Sequence, residues 1–315
     1  MTQKLIIVIP CYNEEAVLPE TMSRLTTLMN EMIGDGLISE ASRILFVNDG
    51  SLDQTWNLIC RYHSENSLVC GVNLAGNVGH QNALMAGLLI AKNMGDILIS
   101  IDADLQDDIG VIPEMVRKYL EGNDIVFGVR NERKTDSWFK RTTAQVFYRL
   151  MARLGVKSVY NHADFRLMSQ RAVEQLSHYR ERNLYLRGIV PQIGYHTACV
   201  YYERGKRKAG ESKYPLSKMV GLAVDGITSF SVKPVRALIW TGLIFLLISL
   251  GILIYVICSL SRGDAVSGWA SLILSVWFIG GIILLGLGIV GEYIGKIYLE
   301  VKDRPRYNIE QTLIQ

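Results

Sequence analysis

Apolar residues follow two different patterns along the chain. Up to about residue 130 they form short runs rich in β-branched side chains, separated by stretches of helix length. The five runs are residues 5–9, 44–48, 69–74, 97–101 and 125–129. Continuous apolar strands alternating with helices predict an α/β domain, with a mostly parallel sheet and helices on both faces. In such sheets ligands bind beyond the carboxyl ends of the strands.

The second pattern is two long uncharged stretches, residues 237–260 and 265–291. At about 1.5 Å per helical residue, each is long enough to cross the ~30 Å hydrocarbon core of a bilayer. They predict a hairpin of two transmembrane helices at about 237–260 and 268–291. Because the two crossings cancel, both flanks lie on the same side of the membrane.

Basic residues on the flanks predict which side that is. The loop between the spans carries one basic residue, Arg262. The flanking basic residues are Lys213, Lys218, Lys233 and Arg236 before the first span, and Lys296, Lys302, Arg304 and Arg306 after the second. By the positive-inside rule, the large N-terminal region and the C-terminal tail are both cytoplasmic.

These patterns divide the chain into four parts. Residues 1–214 form the α/β domain, 215–234 a juxtamembrane region, 235–292 the two membrane helices and 293–315 a cytoplasmic tail. Apolar residues in the juxtamembrane region recur at roughly helical spacing. That spacing fits either a helix on the membrane surface or a helix packed against the α/β domain.

Charge and cysteine content exclude other classes. The net charge of +3 is too small to indicate a nucleic-acid partner, so the basic residues near the spans are expected to face membrane lipids. The five cysteines form no CxxC pair, which fits a reducing compartment and argues against a disulfide framework or a zinc site. The apolar N-terminal run is too short for a signal peptide and is predicted to be the first strand.

The segment LISIDADLQDD contains the strongest chemical signal. A buried strand ends there in four carboxylates, Asp102, Asp104, Asp107 and Asp108. A helix N-cap accounts for one of them but not for Asp102 and Asp104 together. Paired carboxylates suit a hard divalent ion such as Mg²⁺ or Mn²⁺, which takes its other ligands from phosphate and water. The D-x-D pair therefore predicts a metal ion that carries a diphosphate.

Other motifs exclude further chemistries. No Walker sequence is present, and the one GxGxxG, at residues 286–291, lies inside the second predicted span. Helix packing explains those glycines better than dinucleotide binding does. Ser51, with Gln54 three positions later, has the spacing of a capping box and predicts a helix start there.

Several segments together resemble one known family. In chain order they are VIPCYNEE, VNDGSLDQT, DADLQDD, ADFRLMSQRAV, ERNLYLRGIV, AGESKY, GITSF and GEYIGKIYLEVKDRPRY. They are similar to the inverting family 2 polyprenyl-phosphate glycosyltransferases, above all to the bactoprenol (undecaprenyl-phosphate) glucosyltransferases, with the dolichol-phosphate mannose synthases as relatives. The resemblance covers nearly the whole chain and implies a Rossmann-like GT-A fold. One departure is Asp108, where the family usually has proline.

The resemblance also implies roles for particular residues. Donor-binding residues would be Pro10, Tyr12, Glu14, Asp49, Asp102, Arg207, Ser212 and Lys213. Asp104, with Asp102, would bind the metal, and Arg130 and Arg141 would receive the lipid phosphate. Asp164 is the family's candidate base, although positioning a reactant fits it equally well. Roles outside the active site stay open for some of these residues. Asp49 would then form a turn, Arg207 and Lys213 would contact lipid headgroups, and Arg141 would lie on a solvated helix face.

The implied function is transfer of a sugar from a UDP-sugar to undecaprenyl phosphate, with inversion, at the cytoplasmic face of a bacterial inner membrane. The lipid-linked product would serve modification of O-antigen lipopolysaccharide or the cell envelope. UDP-glucose is favoured by the resemblance, while GlcNAc, galactose and aminoarabinose-like donors stay open. A homo-oligomer is compatible with the glycine-rich second span. A processive synthase is disfavoured because the QxxRW motif is absent, and a membrane nucleotide-sugar sensor is the non-enzymatic alternative.

Overall fold

The computed structural model describes residues 2–131, 162–181, 185–203 and 268–314, together with single helical positions between 235 and 255. These residues belong to two compact units. The first contains the described residues up to 203 and again from Arg304, and the second contains those from 235 to Asp303. The C-terminal tail is therefore part of the α/β unit.

An eight-stranded sheet forms the centre of the first unit. Its strands are β1 Leu5–Cys11, β2 Arg43–Asn48, β3 Val69–Leu74, β4 Ile97–Ser100, β5 Ile125–Arg130, β6 His162–Ser169, β7 Thr197–Tyr202 and β8 Ile309–Leu313. Their order across the sheet is β7-β5-β6-β4-β1-β2-β3-β8. The five strands expected from the apolar runs all form, and each boundary lies within two residues of its predicted place.

Strand directions make the sheet mixed. The pairs β1–β2, β1–β4, β2–β3 and β5–β7 are parallel. The strands β6 and β8, which the apolar runs did not predict, run antiparallel to their neighbours. A mostly parallel sheet is thus confirmed for the central strands, while β6 lies between β4 and β5.

Helices cover both faces of this sheet, as expected. They are α1 Leu18–Gly34, α2 Thr55–Glu65, α3 His80–Ala91, α4 Ile112–Leu120, α5 Gln170–Ser177 and the short α6 Leu186–Ile189, with 3₁₀ turns at Ile109–Val111 and Val190–Gln192. Alternate residues of β1 point to opposite faces. Ile7 joins the core formed with α1, α2 and α4. On the other face, α3 lies so close to the sheet that a Cβ on Gly87 would be 2.4 Å from Val8 Cγ1.

The structure shows how two helices or turns of this unit begin. The capping-box prediction is wrong, because α2 begins at Thr55 and the Ser51 hydroxyl accepts a hydrogen bond from the Asn13 backbone N–H instead. Asp53 Oδ1 accepts from the Thr55 N–H and satisfies the start of α2. Asp108, the departure from the family pattern, accepts from the Gly110 N–H and caps the 3₁₀ turn that precedes α4.

The strand directions bring distant segments to one edge of the sheet. The parallel strands β1, β2 and β4 end at this carboxyl edge. Because β6 runs antiparallel to β4, with Ser100 opposite Arg166, it begins at the same edge. Asp164, near the start of β6, therefore lies beside the loop that follows β4.

The second unit contains the long helix α7, Trp269–Val301. It continues ten residues beyond the predicted end of the second span, and its stretch Phe278–Val301 is long and apolar enough to cross a membrane. Phe245 contacts Phe278 at 5.6 Å between ring centroids, and Leu238 lies 3.8 Å from the Cβ position of Gly286. Residue 245 thus lies beside residue 278, and the earlier residue 238 lies beside the later residue 286. The helical positions between 238 and 245 therefore run antiparallel to α7. Half of the first predicted span lies outside the described residues.

Candidate active site

The loops that follow β1 and β2 are joined by reciprocal hydrogen bonds. The Asn13 N–H donates to Ser51 Oγ at 3.0 Å, and the Leu52 N–H donates to Asn13 Oδ1 at 2.8 Å. The Glu14 N–H donates to Thr55 Oγ1 at 2.9 Å. Asn13 has a positive φ of 55°, which asparagine tolerates better than most residues. The two loops thus form one continuous rim at the carboxyl edge of the sheet.

Predicted donor-binding residues lie on this rim. Pro10 is buried within β1, Tyr12 is 45 % exposed, and Glu14 is half-buried beside the start of α2. Tyr12 is the one aromatic residue of the loop after β1, residues 12–17. It suits stacking of a planar base.

Asp49 has a structural partner that the sequence did not predict. Its two carboxylate oxygens accept hydrogen bonds from the backbone N–H groups of Val78, at 2.7 Å, and Gly79, at 3.0 Å. Burial raises the pKa of Asp49 and outweighs these two hydrogen bonds. Asp49 therefore fixes the loop between β3 and α3, and this loop positions His80 at the start of α3.

The loop after β4 carries the D-x-D pair at the same edge. Thr21 Oγ1 donates to the Ala103 carbonyl at 2.6 Å, and the Gln106 N–H donates to Asp104 Oδ1 at 3.3 Å. Asp102 and Asp104 are both partly exposed. These contacts anchor the loop and leave part of each aspartate accessible.

Several negative charges meet around Asp102. Burial has the largest effect and raises the pKa of Asp102. The nearby carboxylates of Asp164, Asp107 and Asp104 raise this pKa further, while His80 lowers it. His80 Nε2 lies 3.6 Å from Asp102 Oδ1 and 3.8 Å from Asp164 Oδ2. A divalent cation at Asp102 and Asp104 would offset this crowding of negative charge.

Asp164 is held by two arginines. Arg166 Nη2 donates to Asp164 Oδ1 at 2.6 Å, and Arg187 donates from Nη2 to Oδ2 at 3.0 Å and from Nε to Oδ1 at 3.3 Å. The Asp164 carbonyl accepts from Ser100 Oγ at 2.5 Å, which ties the start of β6 to the end of β4. Both carboxylate oxygens are thus engaged within a buried cluster.

The arginines determine the ionisation of Asp164. Burial alone would raise its pKa, but Arg166 and Arg187 outweigh burial and hold the pKa well below its usual range. Asp164 is therefore a weak proton acceptor. Of the two roles that the sequence left open, this environment favours positioning over general-base catalysis.

A second buried carboxylate holds Arg130. Arg130 Nε donates to Asp107 Oδ1 at 2.9 Å and Nη2 donates to Oδ2 at 3.2 Å. The Tyr202 hydroxyl donates to Asp107 Oδ1 at 2.7 Å, and the Tyr202 ring packs edge-on against Phe165. Arg130, predicted to receive the lipid phosphate, is thereby fixed beside the D-x-D loop.

Sequence reasoning missed five residues of this constellation. They are His80, Asp107, Arg166, Arg187 and Tyr202. Arg166 and Arg187 stand inside segments that carry the family resemblance, and Asp107 belongs to the acidic segment, but no local pattern identifies their partners. Asp164, the partner of both arginines, comes from β6, and the partners of Asp107 are Arg130 at the end of β5 and Tyr202 in β7. The apolar pattern does not specify where β6 and β7 lie in the sheet.

The donor set suits a divalent ion only in part. Among the described residues, no group of three or more histidine, cysteine, aspartate or glutamate side chains is arranged to hold a metal ion. Asp102 and Asp104 provide two accessible carboxylates, which is the number that Mg²⁺ commonly takes from a protein when phosphate oxygens and water complete its shell. The two residues therefore fit a metal that binds together with a diphosphate.

Four predicted site residues lie outside the described part of the chain. They are Arg141, Arg207, Ser212 and Lys213. Their assignment to the acceptor phosphate, in the case of Arg141, and to the donor phosphates stays a prediction.

Comparison with known proteins identifies the family. A family model described as glycosyl transferase family 2 matches residues 6–177. The uncharacterized glycosyltransferase YkoT of Bacillus subtilis is 55 % identical over 98 % of this chain and 92 % of its own length. The SfII prophage-derived bactoprenol glucosyl transferase of Shigella flexneri is 39 % identical over 98 % of both chains.

One similar solved structure is that of glucosyl-3-phosphoglycerate synthase from Mycobacterium tuberculosis in complex with Mn²⁺, UDP and phosphoglyceric acid. The match covers 72 % of this chain and 76 % of the synthase chain, with 18 % identity and a TM-score of 0.48. The family match and the two relatives cover the strands and loops that form the site described above. The chain belongs to glycosyl transferase family 2, as an enzyme close to the bactoprenol glucosyl transferases.

Proposed function

We propose that the protein transfers a sugar, most simply glucose, from its UDP derivative to undecaprenyl phosphate, with inversion at the anomeric carbon. The observation that carries the proposal is the accessible Asp102–Asp104 pair, flanked by arginines that are fixed on buried carboxylates. Such an edge suits two phosphate-bearing reactants. The bactoprenol glucosyl transferases that match the whole chain support the lipid acceptor.

The rim of the β1 and β2 loops would hold the nucleoside. Tyr12 offers a half-exposed ring for stacking on the uracil. Glu14 and Asp49 would accept hydrogen bonds from the ribose and the base, and Asp49 also secures the neighbouring loop. The diphosphate of the donor would then lie toward the loop after β4.

Asp102 and Asp104 would hold Mg²⁺ or Mn²⁺ at that loop. When bound, the ion would supply electrostatic stabilisation for the charge that develops on the departing UDP. The two aspartates need only partial coordination of the ion, because the diphosphate itself provides oxygen ligands. Their partial exposure agrees with this role.

Arg130 would receive the acceptor phosphate. Its guanidinium plane is fixed by Asp107, so it can offer directional hydrogen bonds to phosphate oxygens. A phosphate oxygen is already ionised at neutral pH, and attack on the anomeric carbon needs no proton removal by the enzyme. A single displacement from the face opposite UDP inverts the configuration.

Chain topology supports a membrane-bound enzyme with the site in the cytoplasm. Residues before 204 and the strand β8 after α7 belong to the same sheet, so both lie on one side of any membrane that α7 crosses. The proposal therefore has an even number of membrane crossings between them. The antiparallel contacts of Leu238 and Phe245 with α7 agree with one two-helix hairpin, and the basic flanks favour the cytoplasmic side of a bacterial inner membrane.

The proposal is tested with purified full-length protein in detergent. Radiolabelled UDP-glucose, UDP-GlcNAc, UDP-galactose and UDP-aminoarabinose are each incubated with undecaprenyl phosphate and Mg²⁺ or Mn²⁺, and label is scored in the organic phase. Label from one sugar supports the proposal and identifies the donor. Binding of UDP without transfer from any donor would contradict it and favour a nucleotide-sugar sensor.

A further inference from the structure

Two arginine–carboxylate pairs flank the loop that carries Asp102 and Asp104. One is Arg130 with Asp107, and the other is Arg187 with Asp164. In each pair the carboxylate is buried, while the arginine side chain is 20 % exposed in Arg130 and 36 % exposed in Arg187. The second pair therefore has the same construction as the one that holds the predicted phosphate-binding arginine, and more of its arginine side chain is exposed.

Arg187 is held in a defined orientation. Its Nε and Nη2 groups form a two-point contact with Asp164, which fixes the plane of the guanidinium group. The residue before it, Leu186, is anchored through both of its backbone polar groups. The Leu186 N–H donates to Gln81 Oε1 at 3.2 Å, and the Leu186 carbonyl accepts from Arg166 Nη1 at 3.2 Å.

Two guanidinium groups share one carboxylate in this cluster. Asp164 contacts both Arg166, which is fully buried, and Arg187, which is partly exposed. Of these two arginines, Arg187 is therefore the one that solvent can reach. Asp102 is close enough to raise the pKa of Arg187, along with Asp164 and against the effect of burial. A fixed cation beside a candidate metal-binding carboxylate suits an anion that bridges both.

We propose that Arg187 binds a phosphate group of one of the two reactants and that Asp164 is its positioning residue. The inference rests on the proposed function, because both reactants of that reaction carry phosphate. The shared chemistry is a phosphate oxygen that accepts from the guanidinium group, and its source is either the diphosphate of the nucleotide or the phosphate of the lipid. Asp164 orients Arg187 and keeps its own charge, and it takes no proton from the acceptor.

The experiment compares Arg187→Gln and Arg187→Lys with Arg171→Gln as a matched control. Arg171 forms the same two-point contact with a buried carboxylate, Asp124, at the opposite edge of the sheet. Two constants are measured on full-length protein: the Kd for UDP in the presence of Mn²⁺, by calorimetry, and the KM for undecaprenyl phosphate. For Arg187→Gln we expect one constant to rise about 10- to 100-fold, the usual range for a lost hydrogen bond to a charged group.

The pattern of changes decides between the sources. A weaker affinity for UDP with an unchanged acceptor KM assigns Arg187 to the donor diphosphate, and the reverse assigns it to the lipid phosphate. Arg187→Lys is expected to recover only part of the loss, because lysine lacks the planar fork. Both constants unchanged in folded Arg187→Gln protein, or changed equally by Arg171→Gln, would overturn the proposal.

Asp164→Asn tests the positioning role separately. It is expected to raise the same constant as Arg187→Gln and to leave the pH dependence of kcat unchanged. Loss of an ionisation from the kcat profile would show that Asp164 transfers a proton and would overturn this role. If the variant does not fold, because Arg166 is left buried without its carboxylate, the Arg187 variants still decide the inference. The UDP titration stays informative even if no sugar is transferred, so failure of the proposed function is distinguishable.

Discussion

Arg130 and Asp107 are 23 residues apart in sequence and meet in a two-point ion pair at the end of strand β5. The Tyr202 hydroxyl, from strand β7, donates to the same carboxylate. The loop that carries the D-x-D motif is thus tied to the arginine that we expect to bind the acceptor. The proposed donor and acceptor sites would share this support.

Replacing Asp107 by asparagine tests this support. Asparagine has one acceptor where the carboxylate has two, and its NH₂ group opposes the arginine N–H groups, so Arg130 loses its fixed orientation. We expect the KM for undecaprenyl phosphate to rise about tenfold or more, with a smaller change in UDP affinity. Asp108→Asn is the control, because Asp108 is exposed and only caps the turn before α4. An equal loss of activity in both variants would show that the loop, not the ion pair, is responsible.

Removing the metal or one of its ligands is expected to abolish transfer. Asp104→Asn keeps the size of the side chain and removes the charge that would hold the divalent ion. We expect kcat to fall by at least about 100-fold, the scale of a lost electrostatic contribution to the transition state. Asp35→Asn, at an exposed position after α1, serves as the control. Full transfer activity in EDTA would contradict the metal assignment.

Acid stability is expected to depend on Asp124. Hydrogen bonds from Arg171 and Ser169 hold the pKa of Asp124 below its usual value, against the effect of burial. The folded state therefore binds fewer protons than the unfolded state in the acid range. This contribution is fully present above the unfolded pKa of about 3.9 and is lost as the pH falls toward the lower folded value. Asp124→Asn should lower the Tm at pH 7 and narrow its difference from the wild type at pH 3. An equal Tm deficit at both values would refute the linkage.

The C-terminal strand β8 is expected to stabilise the α/β unit. It pairs antiparallel with β3, the Leu313 side chain lies against Gly71, and Glu310 accepts a hydrogen bond from Asn73. A chain that ends after Asn308 exposes the edge of β3 and should show a lower Tm in detergent. A chain that ends after Leu313 keeps the strand and is the control. Equal Tm values for the two truncated proteins would show that β8 contributes nothing to stability.

The sequence predicted the central strands well, because each has to be apolar on both faces. Helices cover both sides of β1 and β2, so every residue from Leu5 to Ile9 is apolar and fully buried, and such a run is recognisable without a structure. The D-x-D pair was equally visible, since two carboxylates at the end of a buried run have few structural explanations. At these positions the local sequence was enough to predict the strands and the residues that follow them.

Strand β6 was not predicted for the opposite reason. Its segment HADFRLMS mixes charged and apolar residues, because one end lies in the charged cluster and the other in the core. Nothing in that pattern specifies that it runs antiparallel between β4 and β5. The tail strand IEQTL is mostly polar, as an exposed edge strand can be, and it was predicted only as a cytoplasmic tail.

By itself, then, the sequence determined the α/β architecture, the long apolar helix α7 and the position of the D-x-D pair at the end of a strand, because burial constrains residue types locally. Only the tertiary structure decided which arginine pairs with which carboxylate. The partners of Asp107 and Asp164 are brought together by strand order, and Coulomb attraction depends on distance in space, not on spacing along the chain. The same geometry places Asp164 between two arginines, which hold its pKa below the usual range.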